Sequence, residues 1–89
     1  MNDGDLLRIL KCDLQNPPAT NEYLEFLIKT AKDQITEKGI ALTDSAQDAH
    51  LVVTWASWLY RKRGTNEPMP KNLSFMFKSR LIHEGGMRP

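Results

Sequence analysis

The sequence predicts an all-α fold, a single domain of about four helices, and three observations predict it. Apolar residues recur at three- and four-residue spacing within segments that prolines and glycines separate. No stretch keeps up the apolar–polar alternation of a half-buried strand. The segment 44–63 is apolar on nearly every side, as a helix enclosed by other elements must be. A chain of 89 residues can close one small core. With 40% hydrophobic and 26% charged residues, it has the composition of a globular chain rather than a disordered one.

The first helix is expected from Asp5 to about Leu14. Leu6, Leu7, Leu10 and Leu14 share one side, with Ile9 beside them, and Asp5 suits the first turn, where a carboxylate meets unpaired N–H groups. Pro17-Pro18 stops it. Thr20 or Asn21 opens the second helix. Leu24, Leu27, Ile28, Ala31 and Ile35 form its stripe, Tyr23 and Phe26 widen it, and Lys38-Gly39 closes it. The central helix runs from Asp44 to Arg63. Thr43, Asp44 and Ser45 each offer a cap, and Asp44 with Gln47 resembles a capping box. Leu51-Val52-Val53 is β-prone taken alone, but the helical period around it prevails.

That central helix carries two apolar ridges. One is Ala49, Val52, Val53, Ala56, Leu59 and Tyr60; the other is Leu51, Trp55 and Trp58, with a narrow polar seam of Gln47, His50, Thr54, Ser57 and Arg61. Pro70 or Lys71 then opens a final helix on which Leu73, Met76, Phe77 and Leu81 line one face and Phe75 and Ile82 flank it. Gly85-Gly86 ends it, leaving residues 84–89 as an expected mobile tail.

Charge is divided along the chain. Residues 1–60 hold five Lys/Arg against nine Asp/Glu, residues 61–89 seven against two, so parts of −4 and +5 make the net +1. A dipolar chain of this kind can meet its neighbours head to tail. Chemistry-bearing patterns are missing: there is no Gly-rich phosphate loop, His-x-x-x-His pair or Cys-x-x-Cys. His50 and His83 stand alone, and Cys12 reads as a small filler in a reducing compartment. The expectation is a non-enzyme without cofactor or metal. The chain carries no basic-then-apolar N-terminal signal and no apolar run of bilayer length, so no membrane association is expected.

With the helices placed, the pattern resembles the small head–tail connector, or head-completion adaptor, proteins of tailed bacteriophages and prophages. The first half carries Leu7, Leu10, Lys11 and Leu14, then Glu22-Tyr23-Leu24, Leu27-Ile28, Ala31, Ile35 and Gly39. The second carries Trp55, Ala56, Leu59, Tyr60 and Arg63, a loop to Met69-Pro70, and Leu73 with a closing amphipathic helix. The likeness runs over roughly residues 5 to 82. Pro17-Pro18 replaces the more usual acidic link, and the tail after Ile82 is short for a long C-terminal arm.

The resemblance implies a structural virion protein at the head–tail junction, present in host cytoplasm during assembly. Its subunits form a ring below the portal after DNA packaging. The ring continues the channel through which DNA passes without sequence-specific contact, and it receives a tail-side stopper or adaptor. Trp55 and Trp58 have two readings, core filling, which the usual burial of Trp favours, and anchors at a subunit interface. Under the second, Leu51, Trp55, Trp58 and Arg61 are candidate subunit-interface residues, and Lys78, Arg80 and Arg88 are candidate contacts to an acidic partner such as the portal. The alternative is a small helical nucleic-acid-binding module, which the basic C-terminal part and the run Arg61-Lys62-Arg63 suggest. Leu73, Phe75, Met76 and Phe77 count against it, because a recognition helix presents polar side chains to the bases.

Overall fold

The computed structural model describes residues 3–63 and 65–85. Its helices are α1 (Asp3–Asp13), α2 (Asn21–Glu37), α3 (Ala46–Lys62) and α4 (Lys71–Gly85), and no described residue lies in a strand. Local chemistry fixes most of the helix ends. At the start of α2 the Thr20 hydroxyl accepts from the Tyr23 N–H at 3.1 Å, so Thr20 is the N-cap and Asn21 the first helical residue. At the end of α2, Gly39 takes φ +104°. Its N–H donates to Thr36 O and the Ile40 N–H to Ile35 O, and Ile35 and Ile40 are both buried. This Schellman geometry turns the chain back towards the core. The same double bond closes α1, with Gln15 N–H on Cys12 O and Asn16 N–H on Lys11 O. There Gln15 and Asn16 hold φ of 58° and 53° without a glycine.

Three boundaries differ from expectation. Helix α1 begins at Asp3 rather than Asp5. Helix α3 is capped by Ser45, whose hydroxyl accepts from the Asp48 N–H at 3.1 Å, one residue later than the Asp44–Gln47 reading. In place of a reciprocal box, the Ser45 N–H donates to Thr43 Oγ1 and the Asp48 carboxylate accepts from Thr43. Helix α4 runs through Gly85, past the expected start of the tail at Glu84; the rest of that tail, 86–89, lies outside the described residues.

Helix α3 is the axle of the fold. It packs against α1, α2 and α4, and α1 and α2 also pack on each other, whereas among the described residues the only helix α4 meets is α3. The expected core forms as one cluster: Leu24, Leu27, Ile28 and Ala31 of α2, Val52, Val53, Ala56 and Leu59 of α3, and Leu73 of α4 are all buried. Leu6, Leu10, Ile35 and Ile40 complete it. Several residues expected to flank the core instead face outward, Phe26 at 62%, Phe75 at 71% and Ile82 at 67% exposure. For the α4 pair the reason is topological: with one neighbouring helix, α4 can bury only one side.

Two substitutions test this account. Val53→Asp places an unpaired carboxylate in the core, costs several kcal/mol (order of magnitude) and unfolds the domain, read as loss of the helical circular-dichroism signal. Ser57→Ala has the opposite sign. The Ser57 hydroxyl is buried with no hydrogen-bond partner among the described residues, so removing it and improving helix propensity raises stability by about 1 kcal/mol in urea titration.

Candidate assembly surfaces

A carboxylate and a guanidinium, each on the apolar side of its helix, meet between α3 and α4. Asp48 lies four residues before Val52 and seven before Trp55, hence on the buried side of α3. Arg80 lies seven after Leu73, on the buried side of α4. Arg80 Nε donates to Asp48 Oδ1 at 2.7 Å, and its Nη2 donates to Oδ2 at 3.2 Å and to Ala41 O at 2.9 Å. Asp48 Oδ2 also accepts from the Thr43 N–H and hydroxyl, each at 2.8 Å. Burial alone would raise the Asp48 pKa and is the largest single influence. The hydrogen bonds from Arg80 and Thr43 and the Arg80 charge together outweigh it, holding the carboxyl below its ordinary 3.8.

This corrects the expected role of Arg80. It is buried and fastens α4 to the start of α3 and the α2–α3 loop, so its guanidinium does not present itself to a partner. Lys78 is exposed and remains accessible for one, whereas Arg88 lies outside the described residues.

On the second ridge of α3 the core reading holds in place of the interface one. Leu51 and Trp55 are 2% and 1% exposed, and Trp58 is 9% exposed, because α4 and the loop before it lie over them. Trp55 meets Trp58 and Phe77 edge-on, at centroid distances of 6.0 and 5.5 Å, and its indole N–H donates to Gln34 Oε1 at 2.8 Å. Trp58 donates to Pro68 O at 3.2 Å, and Lys62 Nζ stands 4.2 Å above its ring. These tryptophans hold the protomer together from within. Of the four residues expected at a subunit interface, Arg61 alone is exposed.

Apart from Ile9 on α1, the large exposed apolar side chains stand on α2 and α4, two helices that do not touch among the described residues. Phe26 stands on the outer side of α2, turned away from Leu24, Leu27 and Ile28, and shares it with Glu22, Lys29 and Asp33. Phe75 and Ile82 stand on the outer side of α4, seven residues apart, with Lys71 and Lys78 between and before them. Among the described residues Glu22, Asp33, Lys71 and Lys78 form no ion pair. The α2 face holds two acids and one lysine and is net acidic, whereas both charges on the α4 face are lysines.

A groove of about 330 Å³ runs between α3 and α4, with Leu51, Met76 and Phe75 as its apolar walls and the Asp48–Arg80 pair at its base. No group of three or more His, Cys, Asp and Glu with metal-binding geometry occurs among the described residues. His50 faces solvent, the His83 side chain is outside the description, and Cys12 is an exposed free thiol rather than a buried filler. No helix among the described residues is long and apolar enough to cross a membrane. The exposed aromatic residues were invisible as such to sequence reasoning, which assigned Phe26 and Phe75 to the margins of the core. The buried pair left a readable signal: a lone Asp and a lone Arg, each interrupting an apolar stripe. No known family model, curated protein or solved structure matches the chain.

The Asp48–Arg80 pair predicts two measurable effects. Arg80→Ala leaves a buried carboxylate without its counter-charge and costs about 3–5 kcal/mol of unfolding free energy. Because the folded Asp48 pKa is lower than the unfolded one, its contribution is present above pH 3.8 and is lost as the pH falls through the depressed folded value. Urea denaturation followed through that acid window shows a shallower loss in Asp48→Asn, which starts from a lower stability, than in the parent chain.

Proposed function

We propose that this chain is a head–tail connector of a tailed bacteriophage or prophage. As a helical subunit it assembles into a ring below the portal, joins head to tail and continues the DNA channel. The observation that carries the reading is the pair of unlike outer faces. A closed ring built by one repeated contact needs two different, complementary patches on each subunit. Here an acidic face around Phe26 and a basic face around Phe75 and Ile82 sit on separate helices. The core is closed within the protomer, Leu51 and Trp55 included, so these faces are spare surface and not unfinished interior.

The order and spacing of residues that resemble the connector family run through all four helices, which supports the same reading. The subunit acts by fitting between other components, without catalysis or cofactor. Its partners are copies of itself, the portal and a tail-side stopper or adaptor, and it works at the head–tail junction of the virion. DNA passes the ring without sequence readout, since the accessible side of α4 offers Phe75 and Ile82 where base recognition needs polar side chains.

Particles from an induced lysogen carrying this gene test the proposal. Antibody against the chain is expected to label one vertex per particle, between head and tail. Deleting the gene is expected to yield filled heads without tails. Tailed, infectious particles made in its absence would overturn the reading. If the purified chain instead shifts short duplex DNA at physiological salt with a steep salt dependence, the nucleic-acid-binding alternative replaces it.

A further inference from the structure

We infer that one copy docks on the next through the outer side of α2 laid antiparallel along the outer side of α4. Phe26 seats between Phe75 and Ile82, and Asp33 stands opposite Lys71. The inference rests on the ring reading for its setting, but the contact is argued from the two surfaces themselves.

Each helix presents one continuous outward stripe. On α2 the residues Glu22, Phe26, Lys29 and Asp33 follow at steps of four, three and four. On α4 the residues Lys71, Phe75, Lys78 and Ile82 follow the same steps. All eight are exposed, and the three apolar ones are more than half so. An isolated exposed Phe is ordinary. What is particular here is a single apolar knob flanked by two acids and one lysine, against a two-pronged apolar socket whose charged neighbours are both lysines.

The axial spacing chooses the register. At a rise of about 1.5 Å per residue, Asp33 lies about 10.5 Å along α2 from Phe26. The midpoint between Phe75 and Ile82 lies about 11 Å along α4 from Lys71. With Phe26 at that midpoint and the helices antiparallel, Asp33 therefore comes level with Lys71. Lys29 comes level with Phe75, where an ammonium over a ring face is favourable. The parallel sense would bring Asp33 level with Gly85 and Glu22 level with Ser74, so neither acid would meet Lys71 or Lys78. The antiparallel sense keeps both Glu22 and Asp33 within the span of α4. The two stripes differ in sequence and charge, so the contact is heterologous and leaves each copy with one free face of each kind, as a ring demands.

The test is thiol cross-linking of the intact chain in a Cys12→Ser background, since Cys12 is itself exposed. Asp33→Cys with Lys71→Cys, treated with a short bis-maleimide at high protein concentration, is expected to give a ladder of covalent oligomers. Each single variant alone is expected to stay monomeric on the gel, and the two mixed to give dimers and nothing larger. Adding Phe26→Ser is expected to cut the yield roughly fivefold or more, as loss of an interface anchor does, while leaving the helical signal unchanged. Failure of the ladder, a ladder indifferent to Phe26→Ser, or homodimers from either single variant would overturn the contact. The outcomes separate the two readings. A chain that labels the head–tail junction but gives no ladder is a connector with another interface. A chain that gives the ladder but never reaches the junction has this interface and another function.

Discussion

The ion pair of Asp48 and Arg80 is the constraint on which the arrangement of the second half of the chain depends. Among the described residues helix α4 has only one helical partner, and the apolar area it buries there is correspondingly limited. Leu73 and the half-buried Met76, Phe77 and Leu81 provide adhesion without much direction. Direction comes from the guanidinium fork, whose planar donors accept one placement against a carboxylate. That carboxylate is fixed in turn by Thr43 and by its position in the first turn of α3. A buried pair of this kind adds little net stability over an apolar substitute. Its contribution here is orientation, and it sets which side of α4, with Phe75 and Ile82, is left to solvent.

Most of the fold was legible because helical periodicity and helix-end chemistry are local. The stripe of α2, its Thr20 cap and its Gly39 exit follow from residues within a turn or two of each other. The cap of α3 is Ser45, one of three successive capping residues that compete for one place, and that competition is why the sequence alone does not choose among them. Sequence reasoning failed where the answer depended on which helices touch. Both ridges of α3 were recognised as apolar, but nothing in the sequence said that α4 covers Leu51 and Trp55. Arg80 was read as a surface cation because its counter-charge lies 32 residues away. Phe26 and Phe75 were placed at the core margin, since periodicity reports how apolar a face is and not whether another element reaches it.

The cations at the end of α3 have a second use besides complementing the helix terminus. Lys62 lies over Trp58, and the Arg63 guanidinium lies 4.1 Å from the Tyr60 ring centroid and 5.8 Å from that of Tyr23. These contacts draw the basic run back across the aromatic residues joining α2 and α3. The run is thus partly committed to contacts within the domain; Arg61 and Arg63 are both exposed, but Arg63 lies against tyrosine rings. Charge counted along a sequence therefore overstates the charge available at a surface, and that holds for Arg80 as well.

The one-sided attachment of α4 also bears on motion. Helices α1, α2 and α3 contact one another in every pairing, whereas α4 can leave without breaking any of those contacts. Such an arrangement divides the molecule into a three-helix body and a detachable fourth segment, which exchanges its amide hydrogens through partial opening rather than global unfolding. Opening would uncover the Phe77 side of Trp55 to water, so indole fluorescence reports the docking of that segment directly.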